Sequence, residues 1–325
     1  MSALTSHTGG ERGQVIVFVV AILTVLLGFA ALVLDVGSWF RTHRHLQTSA
    51  DAAALAGVQD LPASSATAAS VANSYAQQNY TGLTPTVTFP GSAANPACSN
   101  TVSSCIRVVA AKTAAGAFAR VYGAAFNSVT ISARAMAAVT TPSVLKNVAP
   151  IAVKNTVACA STSPSCFGTQ RTFTFDESNV SSSTIGLINL TCHSTASTAC
   201  GSSAGIGGSQ LKDWIEVGYP DALPAGQWYG VKTGETVGPV KQGLTDKINT
   251  PLFFPVFDSV TNSGSNYFFH IVGWAVFVIT SVDSWGPGGR QLTGHFVTYT
   301  ATDLPAGLPL GSSTDFGVHV LSLVE

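Results

Sequence analysis

Charged residues are scarce in this sequence, and the short motifs of common enzymes are missing from it. Only 10% of the 325 residues are charged and the formal net charge is −1, so the sequence has neither a basic footprint for nucleic acid nor a strongly acidic tail. It lacks a P-loop, a dinucleotide fingerprint and an H-E-x-x-H motif, and its cysteines lack the Cys-x-x-Cys spacing of zinc sites. We therefore predict a non-enzymatic protein with no nucleic-acid partner and no cofactor.

The main feature that is present is an uncharged run from Val15 to Leu34. As a helix of about 1.5 Å rise per residue, it spans roughly 30 Å, the hydrocarbon thickness of a bilayer. A signal peptide has a shorter hydrophobic region, typically about 7–15 residues, and a buried globular helix usually carries a polar face. The run therefore predicts a single membrane-spanning anchor.

The helix is expected to continue beyond the lipid, because no proline occurs before Pro62 and Gly37 is the one weak point. Small and apolar residues then share one helical face, with Arg44, Thr48 and Asp51 roughly opposite. The predicted packing face consists of Trp39, Leu46, Ala50, Ala53 and Gly57. Small residues let another backbone approach closely, so we expect this face to contact other helices, and leucine at Ala50 or Ala53 to disrupt complexes without unfolding the exported domain.

The segment ERGQVIVFVVAILTVLLGFAALVLDVGSWFRTHRHLQTSADAAALAG resembles the N-terminal part of Flp (Tad) pilus-assembly proteins of the TadE/TadG-like type. The shared features are a Gly-Gln start, a hydrophobic span, an Asp-Val-Gly exit and an alanine-rich close. Pilin-like members carry a glutamate five residues beyond a cleaved glycine, whereas Phe18 holds that place counted from Gly13. The resemblance implies pilus assembly or anchoring with pilin-like partners, and Phe18 implies that the span is retained.

Six cysteines fall into three sequence-local pairs, each bracketing a short polar loop. The pairs are Cys98 with Cys105, Cys159 with Cys166, and Cys192 with Cys200. Local disulfides are the hypothesis, although six cysteines allow fifteen connectivities. Disulfides persist outside the reducing cytosol, so we expect a cytoplasmic N-terminus and a periplasmic or extracellular remainder. Charge does not decide the orientation, since Arg12 flanks one side of the span and Arg41 and Arg44 flank the other.

The fold class expected is α+β, in three parts: residues 1–60 with the anchor, an α+β module at 61–141, and a β-rich domain at 142–325. The module is predicted to contain helices from Ser64 or Ser65 to Asn79 and from Ala114 to Phe126. Its predicted strands are Thr86–Phe89, Ile106–Lys112 and Val129–Val139.

Beyond Pro142 helical periodicity mostly disappears, which favours a sandwich- or barrel-like domain. Candidate strands are Ile151–Val153, Arg171–Phe175, Trp228–Lys232, Leu252–Phe257, Tyr267–Val282, Gly294–Thr300 and Phe316–Val324, with a brief helix at Gln210–Glu216. Tyr267–Thr280 is apolar enough to suggest a second span. It is too short for a membrane-spanning helix and is rich in β-branched and aromatic residues, so a buried strand is predicted.

Two features of the sequence are candidates for catalysis or metal binding. Gly201–Gly205 matches G-x-S-x-G with Ser203 as nucleophile, but it lies in a Ser/Gly loop without the strand and helix of a nucleophile elbow. A tethered hydrolase using Ser203 is thus a third hypothesis, after the pilus protein and the adhesin. Four scattered histidines leave a metal site across strands open: His193, His270, His295 and His319. Neither Asp258 nor Asp283 begins the Asp-x-Ser-x-Ser motif that some TadG-like proteins carry.

The alternative function is a surface adhesin or glycan-binding protein tethered by the helix. Its candidate contacts are four aromatic residues: Trp214, Trp228, Tyr229 and Trp285. The sequence also has three formal glycosylation acceptors, at Asn79, Asn179 and Asn189, a pattern that often arises by chance.

Overall fold

The computed structural model describes residues 12–61, 63–98, 104–116, 118, 128–175, 180–197, 206–232, 237–263, 266–286, 289–300 and 313–325. The helices are α1 (Arg12–Gly57), α2 (Ser65–Asn79), α3 (Gly208–Glu216) and α4 (Val237–Asp246). The strands are β1 (Thr86–Thr88), β2 (Cys105–Ala115), β3 (Ser128–Thr140), β4 (Val144–Leu145), β5 (Ile151–Lys154), β6 (Gln170–Phe175), β7 (Ile185–Ser194), β8 (Leu223–Pro224), β9 (Gln227–Val231), β10 (Pro251–Ser263), β11 (Asn266–Gly286), β12 (Gly289–Val297), β13 (Tyr299–Thr300), β14 (Thr314–Phe316) and β15 (Val318–Leu323).

Helix α1 is continuous over 46 residues, as the sequence predicted. At about 1.5 Å per residue it is about 69 Å long. No proline interrupts it, and it continues through Gly37. A Cβ at Gly37 would meet nothing within 4 Å, so this glycine is not needed for close packing with another element. One rod therefore joins the apolar run to the folded part of the chain.

The second half of α1 packs on α2 and on a five-stranded sheet of order β1-β2-β3-β15-β13. Ser64 caps α2 by accepting a hydrogen bond from the Thr67 N–H (3.2 Å). Three alanines spaced four residues apart on α2, Ala68, Ala72 and Ala76, are fully buried. Small residues on both helices permit a close approach, and the predicted helix from Ser64 or Ser65 to Asn79 is confirmed.

Strands β2 and β3 form an antiparallel hairpin in register from Cys105 opposite Ala138 to Ala115 opposite Ser128. The predicted helix Ala114–Phe126 is therefore wrong at its start, because ladder pairing with β3 holds Ala114 and Ala115 in the strand. Apart from Gly116 and Phe118, the rest of that predicted helix lies outside the described residues.

The second sheet contains a closed circuit of five strands. β10 pairs in parallel with β5, and antiparallel pairs then run from β5 to β7, β9 and β11 and back to β10. The long β11 continues past this circuit to pair with β12, which pairs with β6. Phenylalanines fill the interior, with Phe257 and Phe269 stacked at 3.9 Å between ring centroids. The barrel-like alternative of the prediction describes this arrangement.

Most predicted C-terminal strands correspond to observed ones, including the buried strand at Tyr267–Thr280, which lies within β11. Apart from the two-residue strands β4 and β8, two elements were missed. Residues 185–190 of β7 are all buried, so they show none of the alternation by which a half-exposed strand is recognised. Helix α4 contains Gly238, Pro239 and Gly243, which disguised the helical spacing of its buried Val240 and Leu244.

The last described segment joins the two sheets. β14 pairs in parallel with β11, whereas β15 pairs antiparallel with β3. Between them Gly317 has φ +87°, and a Cβ there would lie 2.7 Å from the Phe167 ring, so glycine is required on both grounds. The predicted boundary near residue 141 falls at the end of β3, yet the chain returns to β3 through β15.

Candidate functional site: the anchor helix and its junction

The apolar half of α1 is exposed along its whole length. Each large side chain from Val15 to Leu34 is about half or more exposed, and Phe29, for example, is 62% exposed. Among the described residues this is the one helix long and apolar enough to cross a membrane. A surface of this size and character requires lipid or an apolar partner.

The predicted packing face of α1 lies in the chain's own core. Leu46, Ala50 and Ala53 are fully buried against α2 and the first sheet, and Trp39 is half-buried. A Cβ on the buried Gly57 would lie 2.7 Å from the Ala68 carbonyl oxygen. The structure thus brings the predicted residues together in intramolecular contacts. The expectation that leucine at Ala50 or Ala53 spares the fold is corrected accordingly. Both alanines are packed against the chain's own core, so a larger side chain there would overpack it.

Asp35 ties the end of the apolar half to the folded module, a role the sequence did not suggest. Its carboxylate is buried, with 2% of the residue exposed, and accepts a hydrogen bond from the Phe118 backbone N–H (2.9 Å). Phe118 follows β2 at the end of the β2–β3 hairpin. The first charged residue after the apolar run is therefore a structural link between the anchor and the sheet.

Opposite the packed face, α1 carries a groove of about 420 Å³ just beyond the apolar half. It is lined by Gly37, Phe40, Arg41, Arg44, His45 and Thr48. Phe40 is 68% exposed, and both arginine side chains are exposed. The junction of α1 thus has one face covered by protein and one face open and basic.

A Ser-Asp-His cluster lies at the joint between the C-terminal segment and the 159–166 disulfide loop. Ser161 Oγ donates to Asp315 Oδ1 (2.6 Å), and His319 Nε2 lies 3.0 Å from the same oxygen. In a catalytic triad the imidazole stands between serine and carboxylate, whereas here both contact one carboxylate oxygen. Asp315 also accepts from the Gly317 N–H (2.9 Å). Ser161 Oγ lies 3.5 Å from His319 Nε2, farther than from the carboxylate, so the cluster pins two segments together in an order unlike that of a triad.

The environment of Asp315 favours its charged form. Burial raises the pKa of the carboxyl, but the hydrogen bond and charge of His319, with the bonds from Ser161 and Gly317, outweigh burial and lower the pKa below its ordinary 3.8. His319 also lines a cavity of about 360 Å³ with Asp60 and Ser64 from the end of the helical module.

The four predicted histidines do not converge. His193 Nδ1 lies 2.6 Å from Gln227 Oε1, and His270 Nδ1 lies 2.8 Å from Asp258 Oδ1, on different strands. His295 pairs in register with Gln170, and His319 belongs to the Asp315 cluster. Within the described ranges, no group of three or more His, Cys, Asp or Glu side chains could hold a metal ion. Ser203 lies outside those ranges.

The aromatic residues proposed as adhesin contacts are mostly unavailable. Trp214 and Tyr229 are buried, at 6% and 1% exposure, and the Tyr229 hydroxyl donates to the Pro224 carbonyl (2.7 Å). Trp228 is half-buried and lies 5.0 Å from the His270 ring centroid, while the Trp285 side chain is outside the description. Of the formal glycosylation acceptors, Asn189 is buried and Asn179 lies outside the described residues.

Two of the predicted disulfides are present, Cys98–Cys105 and Cys159–Cys166. Cys192 is also disulfide-bonded; its predicted partner Cys200 lies outside the described residues. Disulfides persist in oxidising compartments. Each of these bonds holds the two ends of a short loop together.

These features define a chain anchored by one N-terminal apolar helix that continues into a disulfide-containing α+β fold. Residues 13–60 match the family described as "Putative Flp pilus-assembly TadE/G-like". The match covers the exposed apolar half, the Asp35 junction and the packed half of α1, and it confirms the resemblance seen in the sequence. It supports a role related to Flp/Tad pili. Neither the curated proteins nor the solved structures include a significant match to the chain.

Proposed function

We propose that this chain is a non-enzymatic, single-pass envelope protein that takes part in Flp/Tad pilus assembly or anchoring. The observation that carries the proposal is the coincidence of the family match at residues 13–60 with a continuous helix whose first half is exposed and apolar. The apolar half spans the membrane and contacts other pilin-like spans there. The second half holds the folded domain by intramolecular packing.

The division of α1 determines where partners bind. Because Leu46, Ala50 and Ala53 are already buried, partner helices contact α1 between Val15 and Leu34. Gly28 and Ala31 are the small residues of this stretch that are half-buried, and small residues favour close helix contacts in lipid.

Photo-crosslinking in native membranes tests this assignment. A photoreactive residue at Phe29, which is 62% exposed, should capture pilins or pilus-machinery proteins, identified by mass spectrometry. The matched control is the same residue at Leu46, which is fully buried but, unlike Ala50, already carries a large side chain, and it should give only crosslinks within its own chain. Capture of lipid alone from Phe29 would reduce the helix to a tether and contradict the pilus role.

The orientation proposed is a cytoplasmic N-terminus with the remaining chain periplasmic or extracellular, supported by disulfides at Cys98–Cys105 and Cys159–Cys166. A cysteine introduced at the exposed Ala66, at the start of α2, should react with a membrane-impermeant maleimide from outside sealed spheroplasts. Reaction only after membrane permeabilisation would reverse the orientation.

The alternative, a tethered adhesin or glycan-binding protein, is favoured by one surface cluster. Trp228 lies against His270, whose ring in turn contacts the Asp258 carboxylate, so an aromatic surface stands beside polar groups. Full-length protein in detergent should then bind members of a glycan panel, and Trp228→Ala should abolish that binding. Absence of binding across the panel would remove this alternative.

A further inference from the structure

The hairpin end of the first sheet lies at the same height along α1 as the end of the apolar run. Leu34 closes that run, and Asp35, the next residue, accepts the hydrogen bond from Phe118 (2.9 Å). Phe118 is 46% exposed. When Val15–Leu34 fills the hydrocarbon core, Phe118 is therefore held at the boundary between hydrocarbon and headgroups, where aromatic rings are favoured.

The open side of α1 carries basic groups slightly farther along the helix axis, beyond the end of the apolar run at Leu34. Arg41 and Arg44 lie about 10 Å and 15 Å beyond Leu34 along the axis, from the rise per residue. Both side chains are exposed, and neither has a hydrogen-bond or ion-pair partner among the residues that the structure describes. Together with Gly37, which leaves open space, and the 68% exposed Phe40, they line the groove of about 420 Å³.

Helix direction decides where these arginines reach. Cα–Cβ bonds tilt toward the helix N-terminus, and the N-terminal part of α1 is the membrane-spanning part. Long basic side chains above the exit consequently point back toward the bilayer, and their guanidinium groups reach headgroup depth by snorkelling. If the membrane span lay at the C-terminal end of the helix instead, the same side chains would point away from the lipid.

We propose that this junction is a phospholipid-headgroup surface, in which Arg41 and Arg44 bind the phosphate of an anionic lipid while Phe40 and Phe118 insert at the interface on opposite sides of α1. The guanidinium group suits this role because its planar donors match phosphate oxygens. The surface would hold the folded domain at a fixed height on the membrane. This inference rests on α1 spanning the bilayer but is independent of any pilus partner.

The first test measures depth, with full-length protein in nanodiscs. A spin label on Phe118→Cys should show access to oxygen and protection from a water-soluble nickel chelate. The control is a label on Ala66→Cys, near the far end of α1, since Gly57 packs beside Ala68 about 35 Å beyond Leu34. Equal access to the nickel chelate at both sites would overturn the proposal for the hairpin end.

The second test measures lipid preference in nanodiscs that contain 30% phosphatidylglycerol, by energy transfer from the protein to a labelled lipid. Arg41→Gln with Arg44→Gln should reduce enrichment of phosphatidylglycerol over phosphatidylcholine by roughly fivefold per arginine removed, the usual value for a basic residue near an anionic surface. Arg134→Gln is the matched control, because this exposed arginine lies on β3 and pairs with Glu325 (2.6 Å).

Each outcome decides the lipid proposal. Loss of enrichment in the double variant but not in Arg134→Gln supports it. Equal loss in both variants would mean a diffuse charge effect, and unchanged enrichment would mean no lipid contact; either result overturns the site. Displacement of the labelled lipid by millimolar inorganic phosphate would overturn the assignment to a membrane headgroup. Since no other protein is present, failure here leaves the crosslinking result at Phe29 unaffected.

Discussion

The carboxylate of Asp35 accepts a hydrogen bond from the backbone N–H of Phe118 across 2.9 Å, joining residues 83 positions apart in the sequence. One partner stands where the apolar run of α1 ends, and the other stands at the end of the β2–β3 hairpin. The contact fixes the angle and height of the first sheet relative to the anchor, because a helix and a hairpin held together at this end and through the core lose their freedom to separate.

Asp35→Ala should therefore loosen the hairpin end without unfolding the domain. Removing the acceptor leaves the Phe118 N–H without its partner, which costs about 1–3 kcal/mol locally and should speed exchange of that amide by roughly 5- to 150-fold. Hydrogen exchange measured by mass spectrometry on the full-length protein checks this. Ser38→Ala is the control, since its hydroxyl donates to the Asp35 backbone oxygen (2.8 Å). Equal exchange at Phe118 in Asp35→Ala and the unmodified protein would contradict the link.

Two glycines of α1 should respond to alanine with opposite signs. A Cβ at Gly57 would lie 2.7 Å from the Ala68 backbone oxygen, so Gly57→Ala forces α1 and α2 apart and should cost about 1–3 kcal/mol. A Cβ at Gly37 meets nothing within 4 Å, so Gly37→Ala should stabilise the helix by about 0.5–1 kcal/mol. Urea unfolding in detergent micelles measures both. Loss of stability at Gly37, or none at Gly57, would contradict the packing described.

Sequence periodicity identified the packed face of α1 but could not identify what covers it. The spacing of Leu46, Ala50, Ala53 and Gly57 shows that one side of the helix meets a close neighbour. That neighbour is α2 of the same chain, and nothing in a local pattern separates an internal partner from an external one. The Asp35–Phe118 contact was missed for a related reason, because it joins residues far apart in the sequence.

Strands were predictable where their side chains alternate or are β-branched, as at Ile151–Val153 and Tyr267–Val282. They were missed where burial is continuous, as in residues 185–190 of β7. The pairing of β15 with β3 was equally out of reach, since 177 residues separate the end of β3 at Thr140 from the start of β15 at Val318. Local signals predict elements, whereas the order of strands depends on long-range packing.

The Asp315 cluster should make stability fall in acid. Because its pKa is lowered in the folded protein, the charged carboxylate contributes stability above its ordinary value of 3.8, and this contribution is lost as pH falls through the folded pKa. Asp315→Asn should therefore be less stable than the unmodified protein at pH 6, with the difference shrinking toward pH 3. Ser161→Ala, which removes one of the donors to Asp315, should show a smaller difference.

Urea midpoints measured at both pH values distinguish this from a pH-independent packing defect. If the gap between Asp315→Asn and the unmodified protein is the same at pH 3 and pH 6, the cluster stabilises by packing alone and the electrostatic account is wrong.

The C-terminal strand should stabilise the fold mainly through the sheet and only slightly through its ion pairs. Glu325 contacts Arg107 (2.9 Å) and Arg134 (2.6 Å), but the Arg134 side chain is 68% exposed, so Glu325→Gln should cost less than about 1 kcal/mol. Deleting residues 318–325 instead removes the buried Val318 and leaves the β3 edge from Ala137 to Thr140 without its partner. An uncovered strand edge is a site of aggregation, so the deletion should lower the urea midpoint strongly and promote self-association. Size-exclusion chromatography and urea unfolding of both variants make the comparison. A large decrease in the urea midpoint of Glu325→Gln would mean that the ion pairs, and not β15 pairing, hold the two sheets together.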